Sequence, residues 1–409
     1  MTRSDSLHSP AEGDPPDARQ ARQLRRLGLA LAETSAAGAR DAAERAGLLD
    51  GVPTIDLLQR VPLLRKEALP AYQAGAPPLA GWGAWERVRK LFASPGPIYE
   101  PEGAGPDPWG CAPAMHAAGF RAGDVVLNSF SYHMSPAGSI MEGGALALGA
   151  IVIPGGVGNT ELQCRAAAHL RATGYVGTPS FLAILLEKAG DLAIDLCLEV
   201  ALVSAEPLPE SLRLHFASRG VRAQQAYATA DAGVIAYECP FAEGLHLADR
   251  CIVELVDPET GAGRTGGTGR DRRHPARSYL SAAAPCDGGS FGAGPRACRC
   301  GRTAPRLHGI LGRTGDAVKV RGLFVHPSAL RSAMARHPEA HRYQFVVRRD
   351  GNLDELVARV EAERPDATLA ERVAAAVKDV TRLRVVMELV APGTLADARP
   401  VLVDERHWS

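Results

Sequence analysis

This chain carries no surplus of either charge. Lys plus Arg number 46 and Asp plus Glu number 46, a formal net charge of zero. No long-range field is therefore expected to recruit nucleic acid or an anionic membrane. There is no run of 18 apolar residues, so no transmembrane helix is expected. The first 25 residues are polar, with Arg, Asp and Pro and no apolar core, so no secretory signal is expected. Eight cysteines are scattered without the spacing of a disulfide framework. In a chain of this size that pattern points to a reducing cytoplasm, with thiols or a metal instead of disulfides. No internal repeat is present. Gly155-Gly156-Val157-Gly158 is not G-x-G-x-x-G, so it is not read as a dinucleotide loop.

What remains is an ordinary globular balance, 46% apolar and 22% charged, over 409 residues, enough for two or three domains. Residues 1–20 read as a disordered leader, 20–48 as helix, and 52–80 as short helices and loops. Asp107–Ala118 reads as helix. From 124 to 226 strand and helix alternate. Asp124–Asn128, Ala150–Pro154 and Gly174–Gly177 read as strands, and the helices between them open at Pro136, at Asn159 or Thr160, and at Thr178. That alternation predicts a parallel sheet covered by helices on both faces. A smaller unit follows: helix 327–337, strands 342–348 and 355–361, helix 369–380 and strand 384–390. This is an α+β plan. The expected organisation is a leader (1–20), a large α/β domain (21–312) and a small C-terminal domain (313–409), with the boundary near Arg313.

The stretch 201–239 is the richest in chemistry. A short apolar run, Ala201–Ser204, breaks at Ala205-Glu206-Pro207. A helix (208–218) ends at Gly220, and a second strand leads into Tyr227-Ala228-Thr229-Ala230-Asp231. Both polar turns follow strands of one β-α-β unit, so both lie at the carboxyl edge of the sheet, where small ligands bind. An aromatic face, a hydroxyl and two carboxylates suit a nucleotide and its Mg²⁺. Arg87–Glu102 holds a rigid turn at Ser94-Pro95-Gly96-Pro97. Its prolines remove two N–H groups, which makes it a poor phosphate cradle.

A second constellation is Cys298-Arg299-Cys300 with Cys239 and His246 upstream. Three thiols and an imidazole complete a tetrahedral closed zinc site. Cys251 and Cys286 are alternates, with Cys251 read as core-facing in a strand from Cys251 to Asp257. Residues 262–297 are rich in Gly, Arg and Ala and carry almost no strand signal.

These residues also carry a family likeness. F-A-S-P-G-P-I-Y-E-P (92–101), N-S-F-S-Y-H-M-S-P-A-G (128–138), G-Y-V-G-T-P-S-F (174–181), A-Y-A-T-A-D (226–231), C-R-C-G-R-T (298–303) and G-R-x-G-D-x-x-K-V-R-G-L-F-V-H-P (312–327) resemble the phenylacetate–CoA ligase branch of the AMP-forming acyl-adenylate synthetases. The resemblance implies ATP, Mg²⁺ and coenzyme A as co-substrates and cofactor, and an aryl or arylacetic acid joined to CoA through an acyl-adenylate. It also implies a large N-terminal domain, a mobile C-terminal domain hinged near Arg313, and a homodimeric habit. Carried over by position, Ser94 and Gly96 lie in the phosphate loop. Ala205, Glu206 and Pro207 form the adenine-side turn. Tyr227, Ala228 and Thr229 stack on adenine and reach the phosphates. Asp231 holds Mg²⁺, and Arg313 touches ribose. Tyr132, His133 and Gly177 line the acyl pocket. Thr229, Asp231, Lys319 and Arg399 are the catalytic set. Cys239, His246, Cys298 and Cys300 match a zinc site found in part of the family.

Three departures accompany the likeness. Proline replaces Ser/Thr/Gly in the phosphate loop. Arg277-Ser278-Tyr279 stands where the ribose-holding Asp is expected. Arg399-Pro400 stands where a Gly-Lys pair supplies the adenylation lysine. These changes predict weak adenylation. They leave two other readings open: a non-catalytic relative that binds acid or nucleotide, and an adenylating enzyme that passes its acyl group to an amine.

Overall fold

The computed structural model describes residues 7–33, 37–51, 54, 58, 68–79, 85–94, 98–253, 287–292 and 298–313, and most of 318–406 apart from 396–399. The chain divides into two compact units, Met1–Gly315 and Asp316–Ser409.

In the first unit, helices α1 (Pro16–Glu33), α2 (Ala37–Arg45) and α3 (Leu69–Gly75) precede a hairpin of β1 (Val88–Ser94) and β2 (Ile98–Gly103). There follow α4 (Ala112–Ala118), β3 (Val125–Asn128), α5 (Ala137–Ala147), β4 (Ile151–Pro154), α6 (Thr160–His169), β5 (Gly174–Gly177), α7 (Pro179–Asp191), β6 (Val200–Val203), α8 (Glu210–Ser218) and β7 (Arg222–Thr229). Three further strands are antiparallel: β8 (Gly233–Tyr237), β9 (Leu245–Leu247) and β11 (Arg306–Arg313), the last paired with β10 (Asp287–Gly292). Together the described strands form a nine-stranded sheet in the order β10-β11-β9-β8-β7-β6-β5-β3-β4. Strands β4, β3, β5, β6 and β7 are mutually parallel.

The apolar runs explain this half of the sheet. β5 and β6 are buried at every position, as strands covered on both faces must be. Successive residues feed opposite cores. Val126, Val176, Val200 and Leu202 pack with α4 and α5, through Met115, Ile140 and Met141. Leu127, Tyr175, Ala201 and Val203 pack with α6, α7 and α8, through Cys164, Leu182, Leu185 and Phe216. Each such leucine contributes about 1.5–3 kcal/mol by leaving water. Local signals set the helix ends. Thr178 caps α7 by accepting from the Phe181 N–H at 3.2 Å, with Pro179 in the first turn. Gly119, at φ 102, closes α4 in the left-handed region. Asn159 takes the cap position of α6 but makes no side-chain cap bond.

β7 changes partner along its length. Arg222–Gln225 pair in parallel with β6, and Ala226–Thr229 pair antiparallel with β8. The register shifts between Tyr227 and Ala228, where Val234, Ile235 and Ala236 of β8 face a two-residue step. This is a bulge.

The second unit is α+β. A hairpin of β12 (Val318–Val320) and β13 (Leu323–Val325) precedes a four-stranded sheet in the order β16-β15-β14-β17, made from β14 (Tyr343–Asp350), β15 (Leu353–Glu361), β16 (Val385–Val390) and β17 (Leu402–Asp404). Helices α9 (Pro327–Met334) and α10 (Ala367–Thr381) share one core with it, through Leu330, Val373, Val377, Phe345, Leu356 and Val360.

Several expectations need correction. Residues 7–20 are not a disordered leader, and 1–6 lie outside the described residues. Pro10–Gly13 form a 3₁₀ turn capped by Ser9, and Arg22 pairs with Asp249 at 2.7 Å to hold α1 against the domain. Arg87–Glu102 is more than a rigid turn, because β1 and β2 pair continuously from Lys90↔Glu102 to Ser94↔Ile98, with a register shift between Val88 and Lys90. Helix α4 opens at Ala112 and not at Asp107. Asp107 lies ahead of it and accepts from the Cys111 and Ala112 N–H groups at 2.9 and 2.8 Å. Cys251–Val253 is not strand. His246 lies in a short strand, β9, and Asp287–Gly292 is a strand where none was expected.

Candidate functional site

The parallel order of β4, β3, β5, β6 and β7 places the segments after them along one edge. Hydrogen bonds tie those segments together. Ser129 Oγ donates to Gln163 Oε1 at 2.7 Å, and Gln163 Nε2 donates to the carbonyls of Gly156 and Gly158 at 2.9 and 2.7 Å. The Ser204 N–H reaches the Gly177 carbonyl at 3.1 Å, and the Ser180 N–H reaches Glu206 Oε2 at 3.3 Å. The hairpin joins the same edge, since the Ala93 N–H donates to the Met134 carbonyl at 2.8 Å. Gln163 was missed from the sequence. Its only signal is an amide in an otherwise apolar face of α6.

Within this edge the expected residues have different standings. Ala205 sits at φ 79 and directs the buried Glu206 back toward α7. Tyr227, Ala228 and Thr229 end β7. Thr229 Oγ1 accepts from the Ala232 N–H at 3.1 Å and shapes the turn to β8. Asp231 lies in that turn, and both of its carboxylate oxygens are buried with no hydrogen-bond partner among the described residues. It lines a cavity of about 190 Å³ with Gln23, Trp109, Asp249, Arg250 and Cys251. Arg250 frames this cavity by donating to the Trp109 and Ala232 carbonyls, each at 2.6 Å. A Cβ on Gly233 would stand 2.3 Å from both Arg250 Nη1 and the Trp109 oxygen, so only glycine admits that clamp.

Tyr132 follows β3 and lies on Gly138, where an added Cβ would stand 2.9 Å from its ring. Its hydroxyl accepts from Asn128 Nδ2 at 2.8 Å, and burial, then its bond to Glu142, pushes the phenol well up. His133 is exposed. Gly177 is a close-packing position: an added Cβ would stand 2.0 Å from the Tyr175 hydroxyl. Ser94 ends β1 and donates to Glu100 at 2.5 Å. Gly96 and Arg399 lie outside the described residues, as does 277–279. Arg313 ends β11 and Lys319 lies in β12, and of these two the structure describes the backbone alone.

The cysteine constellation is assembled at the other end of the sheet. Cys239 follows β8, His246 lies on β9, and Cys298 and Cys300 occupy the turn before β11. Strand pairing brings them together, with Tyr237 opposite His246 and His246 opposite Arg306. All four are buried, and their ligand atoms lie within 4.8 Å of one another. Cys239 Sγ is 3.6 Å from Cys298 Sγ, and Cys300 Sγ is 3.5 Å from His246 Nε2. The Cys239 sulfur, and also His246 and Arg302, pull the Cys300 thiol far below its usual range, while its partner Cys239 is pushed up. Four converging soft donors with no other use fit a closed zinc site. Cys251 is not part of it, since its sulfur faces the Val234 carbonyl at 3.6 Å in the core. Cys286 lies outside the described residues. Among the described residues no helix is long and apolar enough to cross a membrane.

Comparisons with known proteins follow these features. Residues 322–402 match the family described as AMP-binding enzyme C-terminal domain. Over 271 residues the chain is 33% identical to a phenylacetate–coenzyme A ligase of Thermus thermophilus, covering 62% of this chain and 60% of that protein. The alignment thus spans less than two thirds of that relative's length. It is 28% identical over 314 residues to the phenylacetate–coenzyme A ligase of Escherichia coli, covering 69% of each. Among solved structures, a 2-hydroxyisobutyryl-CoA ligase in complex with 2-HIB-AMP and CoA superposes with a TM-score of 0.85 at 21% identity, over 100% of this chain and 94% of that one. An amide bond synthetase from Marinactinospora thermotolerans reaches 0.58 at 17% identity, over 75% and 66%. By sequence the chain is therefore similar to phenylacetate–CoA ligases, by fold it is similar to a 2-hydroxyisobutyryl-CoA ligase, and its residues 322–402 match the AMP-binding enzyme C-terminal domain.

Proposed function

We propose that the chain is an AMP-forming acid–CoA ligase acting on an aryl or arylacetic acid through an acyl-adenylate, with weakened adenylation. Two observations support this reading: the 33% identity to a phenylacetate–CoA ligase over 271 residues, and the placement of Glu206 just after β6 beside Tyr227 and Thr229 at the end of the adjacent β7. Tyr227 supplies a face for adenine, Glu206 and Pro207 border it, and Thr229 faces the phosphates. Asp231, whose oxygens have no hydrogen-bond partner among the described residues, holds Mg²⁺, which when bound offsets phosphate charge. Tyr132 and His133 border the acid, and Arg313 lies at the hinge between the two units. Cys239, His246, Cys298 and Cys300 hold a structural Zn²⁺.

Weak adenylation rests on the C-terminus. Pro400 is exposed, and its carbonyl accepts from Gln344 Nε2 at 3.2 Å just before β17. A proline there cannot present the positive charge that stabilises a developing oxyanion, a contact whose loss costs about 10²–10³ in rate. Arg399 is not equivalent to lysine as a mobile point charge.

The test is pyrophosphate release with a panel of aryl acids, with and without CoA. Turnover that rises with CoA supports the reading. Release that requires an amine in place of CoA would move the assignment to amide synthesis. No release, with thermal stabilisation by acid or AMP alone, would make the protein a binding relative.

A further inference from the structure

We propose that residues 8–14 form an outer layer of the metal site, joined to it through Arg302, so that metal occupancy and the anchoring of the N-terminal segment are one linked equilibrium. The inference rests on the metal reading given above.

The turn Cys298-Arg299-Cys300-Gly301-Arg302 folds on itself. The Gly301 N–H donates to the Cys298 carbonyl at 2.9 Å, and Gly301 takes φ 85. The Cys298 N–H donates to the Arg302 carbonyl at 3.4 Å, which seats Arg302 behind the turn with its guanidinium carbon 5.8 Å from the centroid of the Tyr237 ring. Arg302 is only 2% exposed, so its charge needs a partner. That partner is Glu12, with Arg302 Nη2 3.1 Å from Glu12 Oε2. The Tyr237 hydroxyl donates to Glu12 Oε1 at 2.9 Å, and the His8 N–H donates to Oε2 at 2.9 Å. The backbone repeats the link, since the Thr303 N–H donates to the Glu12 carbonyl at 3.1 Å. Arg19 Nη1 donates to Thr303 Oγ1 at 3.3 Å and extends the connection into α1.

Every segment that supplies a ligand therefore meets this layer. The 298–302 turn meets it through Arg302. β8, which ends two residues before Cys239, meets it through Tyr237. His246 stacks toward the Tyr237 ring at 6.4 Å between centroids. The chemistry is complementary. Three thiolates and one neutral imidazole around a divalent cation leave one unit of negative charge, and a buried guanidinium beside the sulfur offsets it. Glu12 fixes that guanidinium in place. Outer-layer hydrogen bonds of this kind orient ligands and set how long a metal stays. Linkage makes the effect reciprocal: whatever Glu12 contributes to holding the metal, the metal contributes to holding residues 8–14.

The test uses the zinc-loaded full chain and follows zinc transfer to excess chromophoric chelator by absorbance. Glu12→Gln keeps the shape and the bond to Tyr237 and removes the charge. It and Arg302→Gln should release zinc about 10–100-fold faster, the range for loss of an outer-layer partner, with Arg302→Lys in between. Gln23→Ala is the control. It loosens α1 by deleting bonds to the Asp249 and Cys251 carbonyls without touching residues 8–14, and it should release zinc at the unmutated rate. Trypsin should cut the arginines of α1 faster in the metal-free protein than in the loaded one. If Arg302→Gln fails to fold, the isosteric Glu12→Gln carries the test. Unmutated release rates in Glu12→Gln, or equal acceleration in Gln23→Ala, would overturn the inference alone. An unmutated protein that holds less than half an equivalent of zinc would overturn the metal reading, and this inference with it.

Discussion

Replacing Asp231 by Asn sets function against stability at one atom. Among the described residues both Asp231 oxygens are buried without a hydrogen-bond partner, at the wall of a cavity of about 190 Å³. A buried charged group in that condition costs about 1–3 kcal/mol or more. Arg250, on the same wall, offsets part of that cost. Asparagine has the same shape and a cheaper desolvation, so the substitution should stabilise the large unit by about 1–2 kcal/mol, a rise in melting temperature of about 2 °C at this size. If the carboxylate is kept for a cation, the same change should lower Mg²⁺-dependent pyrophosphate release by about 10²-fold or more. Calorimetry and a coupled pyrophosphate assay read the two effects separately. A less stable Asp231→Asn protein would refute the claim of an uncompensated carboxylate. Unchanged release would refute its role at the metal.

Other outcomes follow from the same geometry. Pro400→Lys should raise the adenylation rate, measured as pyrophosphate release before CoA is added; an unchanged rate would place the missing charge elsewhere. Gly177→Ala pushes a Cβ to 2.0 Å from the Tyr175 hydroxyl inside a fully buried strand, and should cost about 1–3 kcal/mol in urea unfolding. His116 is held down to about 4 by burial, then by Arg121, His8 and Arg302. The unfolded chain therefore takes up this proton near the ordinary value of 6.5 while the folded protein refuses it. Stability should fall as pH drops from 6.5 toward 4, by about 1 kcal/mol once solvent screening of this half-exposed ring is allowed for, and His116→Gln should flatten that slope.

The parallel half of the sheet was legible because its evidence is local. Val125–Asn128, Gly174–Gly177 and Val200–Val203 are apolar runs between helical periods, and both faces of such strands are covered. The cysteine cluster was legible because a Cys-x-Cys pair with an upstream Cys and His has few other uses in a chain without a disulfide framework. What escaped depends on distant partners. Residues 8–14 are polar and rich in turn formers, and partners such as Arg302, Thr303 and Tyr237, more than 220 positions away, help hold them in place. Leu245–Leu247 spans three residues, too few for any period to show, and owes its existence to β8 and β11 on either side. Asp287–Gly292 is a Gly-rich edge whose pairing is supplied by β11. Glu206 and Asp231 were legible as acids but not as neighbours of different things: Glu206 turns toward Ser180 in the first turn of α7, while Asp231 lines a wall with Trp109 and Arg250.

The bulge in β8 bears on how this sequence can drift. Ile235 is the extra residue opposite the step from Tyr227 to Ala228, and it is buried in its own right with Ala232 and Cys251. Side chains alternate faces every residue along a strand, so losing or gaining one position there would turn Val234 and Ala236 over relative to β7 and re-aim the 230–232 turn. Substitutions at these positions change one contact at a time, whereas a single-codon insertion or deletion changes all of them at once. Length variation among relatives should accordingly collect in other segments and spare the span from Arg222 to Tyr237.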